Sequence, residues 1–153
     1  GLSPEDTVRY IAKKKCDAAA ALCAPDDLII TADTMVFLGN DRLGKPRDED
    51  DAFRMLRELA GRAHTVCTGV SVRRGAQEER FAVSTRVFFR PMTDDEIRAY
   101  IKTGEPMDKA GAYGVQSRGA LFVERIDGDF FNVMGLPVEQ LGLVLARFGV
   151  KLL

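Results

Sequence analysis

The sequence predicts an α/β fold, a mixed and partly antiparallel sheet flanked by helices, and three observations carry that prediction. Segments of helical periodicity with capping residues alternate with short β-branched apolar runs. Two neighbouring runs rich in Val, Thr and Phe, His64 to Val72 and Arg80 to Phe89, are joined by the polar stretch Arg73 to Glu79, as an antiparallel pair would be. The chain has 153 residues, 46% of them hydrophobic and 29% charged. That is enough for a single domain over residues 1–153 whose core needs no disulfide or metal to hold it.

The elements follow in order. Ser3-Pro4-Glu5-Asp6 combines a capping hydroxyl, a proline suited to the first helical position and acids that favour the positive end of the helix dipole. Val8, Ile11, Ala12, Cys16, Ala19 and Cys23 then recur near helical spacing until Pro25. Leu28 to Ala32 and Met35 to Leu38 read as two strand pieces flanking the polar pair Asp33-Thr34, with a turn at Gly39-Asn40-Asp41. Asp48 caps a second helix with acids in its first turn, an apolar face of Phe53, Leu56, Leu59 and Ala60, and a stop at Gly61. Thr93-Asp94-Asp95-Glu96 is a capping box opening a third, short helix that Gly104 closes. The glycine-rich segment 104–119 is too long for a simple turn and reads as a functional or disordered loop. Ala120 to Val123 restores strand character, Gly128-Asp129 turns, and Pro137 opens a last helix carrying Val138, Leu141, Val144, Leu145 and Phe148.

Lys and Arg total 22 against 23 Asp and Glu, so no global field draws the chain to a nucleic acid polymer or an anionic membrane. No apolar run approaches the length of a membrane span, and no basic-then-apolar leader opens the sequence. Cys16, Cys23 and Cys67 are odd in number and lack C-x-x-C spacing, which reads as three buried or inert thiols in a reducing, cytoplasmic compartment. His64 is the one histidine, a structural residue more readily than half of a zinc site. The absence of a Gly-x-Ser-x-Gly elbow, a P-loop and a Rossmann fingerprint weakens serine hydrolase, Walker NTPase and dehydrogenase readings.

Three places could carry chemistry. Asp33-Thr34 sets a carboxylate among apolar strand residues, where it must be capped, paired, bound to metal or open to a cleft; a turn between two strands is the plainer alternative. Lys45, held between Gly44 and Pro46, suits a point charge aimed at phosphate, or is a solvated loop lysine. Asp108 to Gln116 combines an acid, the base Lys109, two glycines that permit close backbone approach, and an amide, Gln116, able to read a base edge. The clusters Lys13 to Lys15 and Arg73-Arg74 read as a solvated face and a hairpin tip, and Arg86 and Arg90 either reach a ligand or cover a strand edge.

Ile30-Thr31-Ala32-Asp33-Thr34, Leu43-Gly44-Lys45-Pro46, Leu59 to Arg62, Thr68-Gly69-Val70, Asp108 to Gln116 and Gly119 to Pro137 agree in order and spacing with the Maf family of nucleoside triphosphate pyrophosphatases, which the sequence resembles over nearly its whole length. The resemblance implies a fold like that of the inosine triphosphatase group, a cytoplasmic enzyme, a homodimer, and release of pyrophosphate from dTTP, UTP or a modified pyrimidine nucleotide. It implies a divalent metal, magnesium or else manganese, with Asp33 as general base and metal ligand. It associates Thr34 and Gln116 with the dTTP and UTP branch, and Lys45, Lys109 and Lys15 with the triphosphate. Thr34 and Gln116 speak against a purine nucleotide as substrate.

The family opens with a strand and a Ser-x-Ser-Pro-Arg-Arg phosphate loop, whereas this sequence begins at Gly1, after that segment, and Ser3-Pro4 is not that motif. The expectation from this reading is an N-terminally truncated domain with weak or absent hydrolysis. It keeps alive a rival function, a nucleotide-binding or cell-division-regulating module without turnover.

Overall fold

The computed structural model describes residues 1–153. Five strands, β1 (Ile29–Leu38), β2 (Asp41–Leu43), β3 (Ala63–Arg74), β4 (Gln77–Phe89) and β5 (Val123–Asp127), form one sheet in the order β2-β1-β3-β4-β5. The helices are α1 (Pro4–Ala20), α2 (Glu49–Leu59), α3 (Asp94–Lys102), the short α4 (Phe130–Met134) and α5 (Val138–Arg147). The expected α/β class and helix–strand alternation are present. None of the helices is long and apolar enough to cross a membrane. The chain divides into two compact units, the first made of residues 1–34, 67–84 and 131–153 and the second of residues 35–66 and 85–130.

In the first unit, α1 starts as its sequence predicts: the Ser3 hydroxyl accepts from the Asp6 amide at 3.1 Å, and Pro4 occupies the first turn. Its buried residues Val8, Ala12 and Cys16 lie at i, i+4 and i+8, one face of a 3.6-residue helix. That face meets β3 at Gly69. A β-carbon built there would lie 2.3 Å from the carbonyl carbon and oxygen of Val8, so the helix backbone occupies the space a side chain would need. The opposite helix, α5, packs Leu141, Val144, Leu145 and Phe148 onto Val70 and Val72, with Leu28, Ala32, Phe81 and Val150 at the margin.

In the second unit, β1 pairs with β2 through Val36↔Leu43, Phe37↔Arg42 and Leu38↔Asp41, around a turn in which Gly39 takes φ +61°. β4 pairs with β5 antiparallel, with a bulge between Phe88 and Phe89. Helix α2 is capped by the Asp48 carboxylate on the Asp51 amide at 2.7 Å, and α3 has the complete capping box of Thr93 and Glu96. The core is aromatic. His64 and Phe89 meet edge to face at 5.0 Å, Phe89 and Tyr113 at 4.7 Å, and Tyr100 and Phe122 at 5.0 Å between ring centroids. His64 is structural, as expected: it is buried and shares a 2.6 Å hydrogen bond between Nε2 and the Tyr113 hydroxyl.

Four sequence expectations are corrected. β1 is one continuous strand and not two pieces, because Asp33-Thr34 stays extended, with Asp33 Oδ1 and the Thr34 hydroxyl finding partners elsewhere in the first unit. β3 and β4 run to Arg74 and from Gln77, leaving only Gly75-Ala76 between them. The polar side chains there are bonded, Arg74 to the Phe148 carbonyl and Glu79 to Arg147, so they remain in the strands. Residues 118–122 form a 3-10 turn, and the last strand begins at Val123. Cys16 and Cys67 are buried, but Cys23 is exposed, because α1 has already ended at Ala20.

Two outcomes follow. Gly69→Ala should lower stability by about 3 kcal/mol or more, since the contact it violates is backbone that cannot rotate away; urea denaturation at neutral pH measures it. Burial lowers the His64 pKa to about 4, so between pH 6.5 and 4 the unfolded chain binds a proton that the folded chain refuses. Stability should therefore fall as pH drops through this window, by roughly 3 kcal/mol at its acid end. Urea denaturation at pH 7, 5.5 and 4.5 should show this loss in the parent and not in His64→Gln.

Candidate active site

The six residues singled out in the sequence divide between the two units, Lys15, Asp33 and Thr34 in the first and Lys45, Lys109 and Gln116 in the second.

In the first unit, Asp33 sits mid-strand on β1, where the ladder uses its backbone groups and leaves its carboxylate to find partners elsewhere. Lys15 of α1, one turn beyond Ala12, supplies one: its Nζ lies 2.8 Å from Asp33 Oδ1 and 3.1 Å from the Ala32 carbonyl oxygen. The lysine side chain is 50% exposed and the aspartate 17%, so the cation faces solvent while the carboxylate lies beneath it. Asp33 Oδ2 is buried and accepts no hydrogen bond. A buried anionic oxygen without a donor is costly unless it serves a ligand, a proton or a cation.

Thr34 is tied to β3. Its hydroxyl is 2.8 Å from that of the fully buried Thr68, whose Oγ1 donates to the Asn132 carbonyl oxygen at 3.0 Å. Each hydroxyl owns one proton, and Thr68 has spent its own on Asn132, so Thr34 donates to Thr68 and keeps its lone pairs for acceptance. Gly135 lies alongside, where a β-carbon would stand 3.7 Å from the Thr34 hydroxyl.

In the second unit, the segment 104–119 is folded through 3-10 turns at Glu105–Asp108 and Ala110–Ala112. Gly111, at φ +73°, donates to the Gly44 carbonyl at 3.1 Å, which seats this segment beside the Gly44-Lys45-Pro46 turn. Lys109 Nζ bonds Asp108 at 2.9 Å and the Glu105 carbonyl oxygen at 3.2 Å. The bonded Lys109 ammonium holds the Asp108 carboxyl below the usual carboxylate range, and the charge of Lys45 adds to the effect. The two lysines thus share one acidic neighbour. Gln116 is exposed, and no hydrogen bond joins it to either of them.

Asp108, the acid noted in the sequence, takes part in these arrangements, and so do Thr68 and Glu105, which were not singled out as site residues. Thr68 could have been noticed as a hydroxyl in a Val-rich strand, and Glu105 as an acid between Gly104 and Pro106. The most acidic carboxyls lie elsewhere and are structural: Asp51, brought down to about 2 by the Arg47 amide and Arg54, and Glu96, brought down to about 2 by Arg90 and the Thr93 amide. No group of three or more His, Cys, Asp or Glu side chains gathers into a metal cluster. A hard cation such as magnesium needs only one or two carboxylates when substrate phosphates complete its shell, and the open Oδ2 of Asp33 fits that requirement.

A family model described as Maf-like protein matches residues 1–148. The dTTP/UTP pyrophosphatase of Bacillus velezensis is 49% identical over 150 residues, which span 98% of this chain and 79% of that protein. That of Bacillus pumilus is 46% identical over 149 residues, spanning 97% and 78%. The dTTP/UTP pyrophosphatase of Thermococcus kodakarensis is 47% identical over 136 residues, spanning 89% and 72%.

Proposed function

The chain belongs to the Maf family, and we propose that it hydrolyses dTTP and UTP to the nucleoside monophosphate and pyrophosphate. The observation that carries this reading is the Asp33 carboxylate, with Oδ1 held by Lys15 and Oδ2 buried and open. Water adds to the α-phosphorus, the bond from that phosphorus to the oxygen bridging to the β-phosphorus breaks, and pyrophosphate departs. The proton lost by the water passes to Asp33 Oδ2, an acceptor held in place by the Lys15 contact. Lys15, Lys45 and Lys109 supply positive charge for the phosphate oxygens over which negative charge spreads. One oxygen does not hold a cation and take the proton at once, so binding a divalent cation, for which we propose magnesium, is the alternative role of Asp33 Oδ2; when bound the cation would supply Lewis acidity toward the phosphates. Gln116 presents both a donor and an acceptor, the pair needed to match the edge of a uracil or thymine ring, and Thr34 adds an acceptor. Three free thiols suit a reducing compartment, and we place the protein in the cytoplasm.

Asp33→Asn keeps the shape but cannot take the proton, and a lost base typically costs about 10²–10⁴-fold in rate. Pyrophosphate release from UTP should fall by that amount while UTP binding persists in calorimetry. Turnover within a few-fold of the parent would remove Asp33 from this role, and a parent that binds UTP without releasing pyrophosphate would make the protein a binding module. Gln116→Ala should narrow the kcat/KM advantage of UTP and dTTP over ATP, because a polar pair that rejects mismatched bases is gone. An unchanged ratio would place base selection elsewhere.

A further inference from the structure

We propose that Glu105 is a positioning residue for base selection: its carboxylate gathers the loop Gly114–Gly119 so that Gln116 is presented in one orientation. This rests on the reading of Gln116 as the residue that meets the base. The carboxylate is half-buried and saturated with donors. Oε2 accepts from the Tyr100 hydroxyl and from the Gly119 amide at 3.0 Å, Oε1 accepts from the Arg118 amide at 3.2 Å, and the Ser117 side chain bonds it as well. The Tyr100 hydroxyl in turn accepts from the Gly114 amide at 3.1 Å. Both sides of Gln116 are therefore fastened to one carboxylate, Gly114 through Tyr100 and residues 117–119 directly.

The loop's own shape agrees with this. A β-carbon on Gly119 would stand 2.4 Å from the Gly114 carbonyl oxygen and 2.9 Å from the Tyr100 hydroxyl, so the two ends of the loop touch backbone to backbone. Lys109 belongs to the same assembly, through its bond to the Glu105 carbonyl oxygen and its side chain, which lies where a β-carbon on Gly114 would approach within 3.0 Å. Burial raises the Glu105 pKa, but its donors outweigh burial and leave it below the usual value, so the acceptor stays charged at neutral pH. Gln116 itself uses none of these bonds and is exposed on the loop they hold. Charge-assisted bonds from several donors to one carboxylate give the fixed geometry that a specificity contact requires.

The test is a double-mutant cycle on the full chain, reading kcat and KM for UTP and ATP in Glu105→Gln, Gln116→Ala and the double variant, each checked for folding by circular dichroism. Glu105→Gln keeps the size but turns an amide nitrogen toward donors. The UTP-to-ATP ratio of kcat/KM should fall about tenfold, mostly through KM for UTP, and adding the substitution to Gln116→Ala should change that ratio by less than about twofold. Should Glu105→Gln fail to fold, Tyr100→Phe cuts only the link to Gly114 and carries the same cycle. An unchanged ratio in a folded variant, or fully additive losses, would overturn the proposal while leaving the pyrophosphatase reading intact. A parent that releases no pyrophosphate refutes that reading instead. The cycle is then read on calorimetric binding of UTP and ATP, where non-additivity supports the role of Glu105 and additivity overturns it.

Discussion

Helix α1 can lie where it does only because residue 69 has no side chain. The Val8 carbonyl fills the space above Gly69. One turn on, the Ala12 carbonyl oxygen accepts the Thr31 hydroxyl at 2.6 Å, and three residues further the Lys15 ammonium reaches Asp33. Val8, Ala12 and Lys15 stand at i, i+4 and i+7, so a straight helix presents all three on one stripe. Lifting the helix to make room for a methyl group at position 69 would draw the whole stripe outward. The Asp33 carboxylate would then lose the cation that satisfies one of its oxygens. A packing constraint on β3 thus governs the electrostatics of a residue on β1.

The second unit solves a different problem. A run from Gly104 to Gly119 contains too few large apolar residues to fold by burial alone, yet Pro106, Ala112, Tyr113 and Val115 are buried. A polar anchor supplies the missing cohesion: backbone amides that would otherwise need water converge on the carboxylate of Glu105. Ala112, at φ +64°, is the one residue other than glycine with a left-handed backbone, in a place where Gly111 already turns the chain.

Much of this architecture was legible in the sequence. Helix caps are local chemistry, so Ser3, Asp48 and the Thr93–Glu96 box marked their helices correctly, and periodicity identified the faces that α1, α2 and α5 bury. The failures arose where the deciding partner is distant in sequence. Asp33-Thr34 looked like a break in a strand because nothing nearby could satisfy it; its partners, Lys15 and Thr68, lie on other elements. The polar ends of β3 and β4 looked like loop for the same reason, their partners being Phe148 and Arg147 near the end of the chain. The residues of the candidate site were recognisable by their resemblance to the Maf family, and so was the motif that contains Thr68, though not its role beneath Thr34; Glu105 carries no signal beyond a polar side chain in an unexpected setting.

The docking of α1 also imposes an order on assembly. Its contacts with β1 close short loops, since Thr31 and Asp33 follow Ala12 and Lys15 by fewer than twenty residues. Its contact with Gly69 closes a far longer one and must wait until β3 has formed. Chain entropy therefore opposes seating the Lys15 end of α1 on β1 less than it opposes seating Val8 over Gly69, so the two ends of one helix are held at unequal cost.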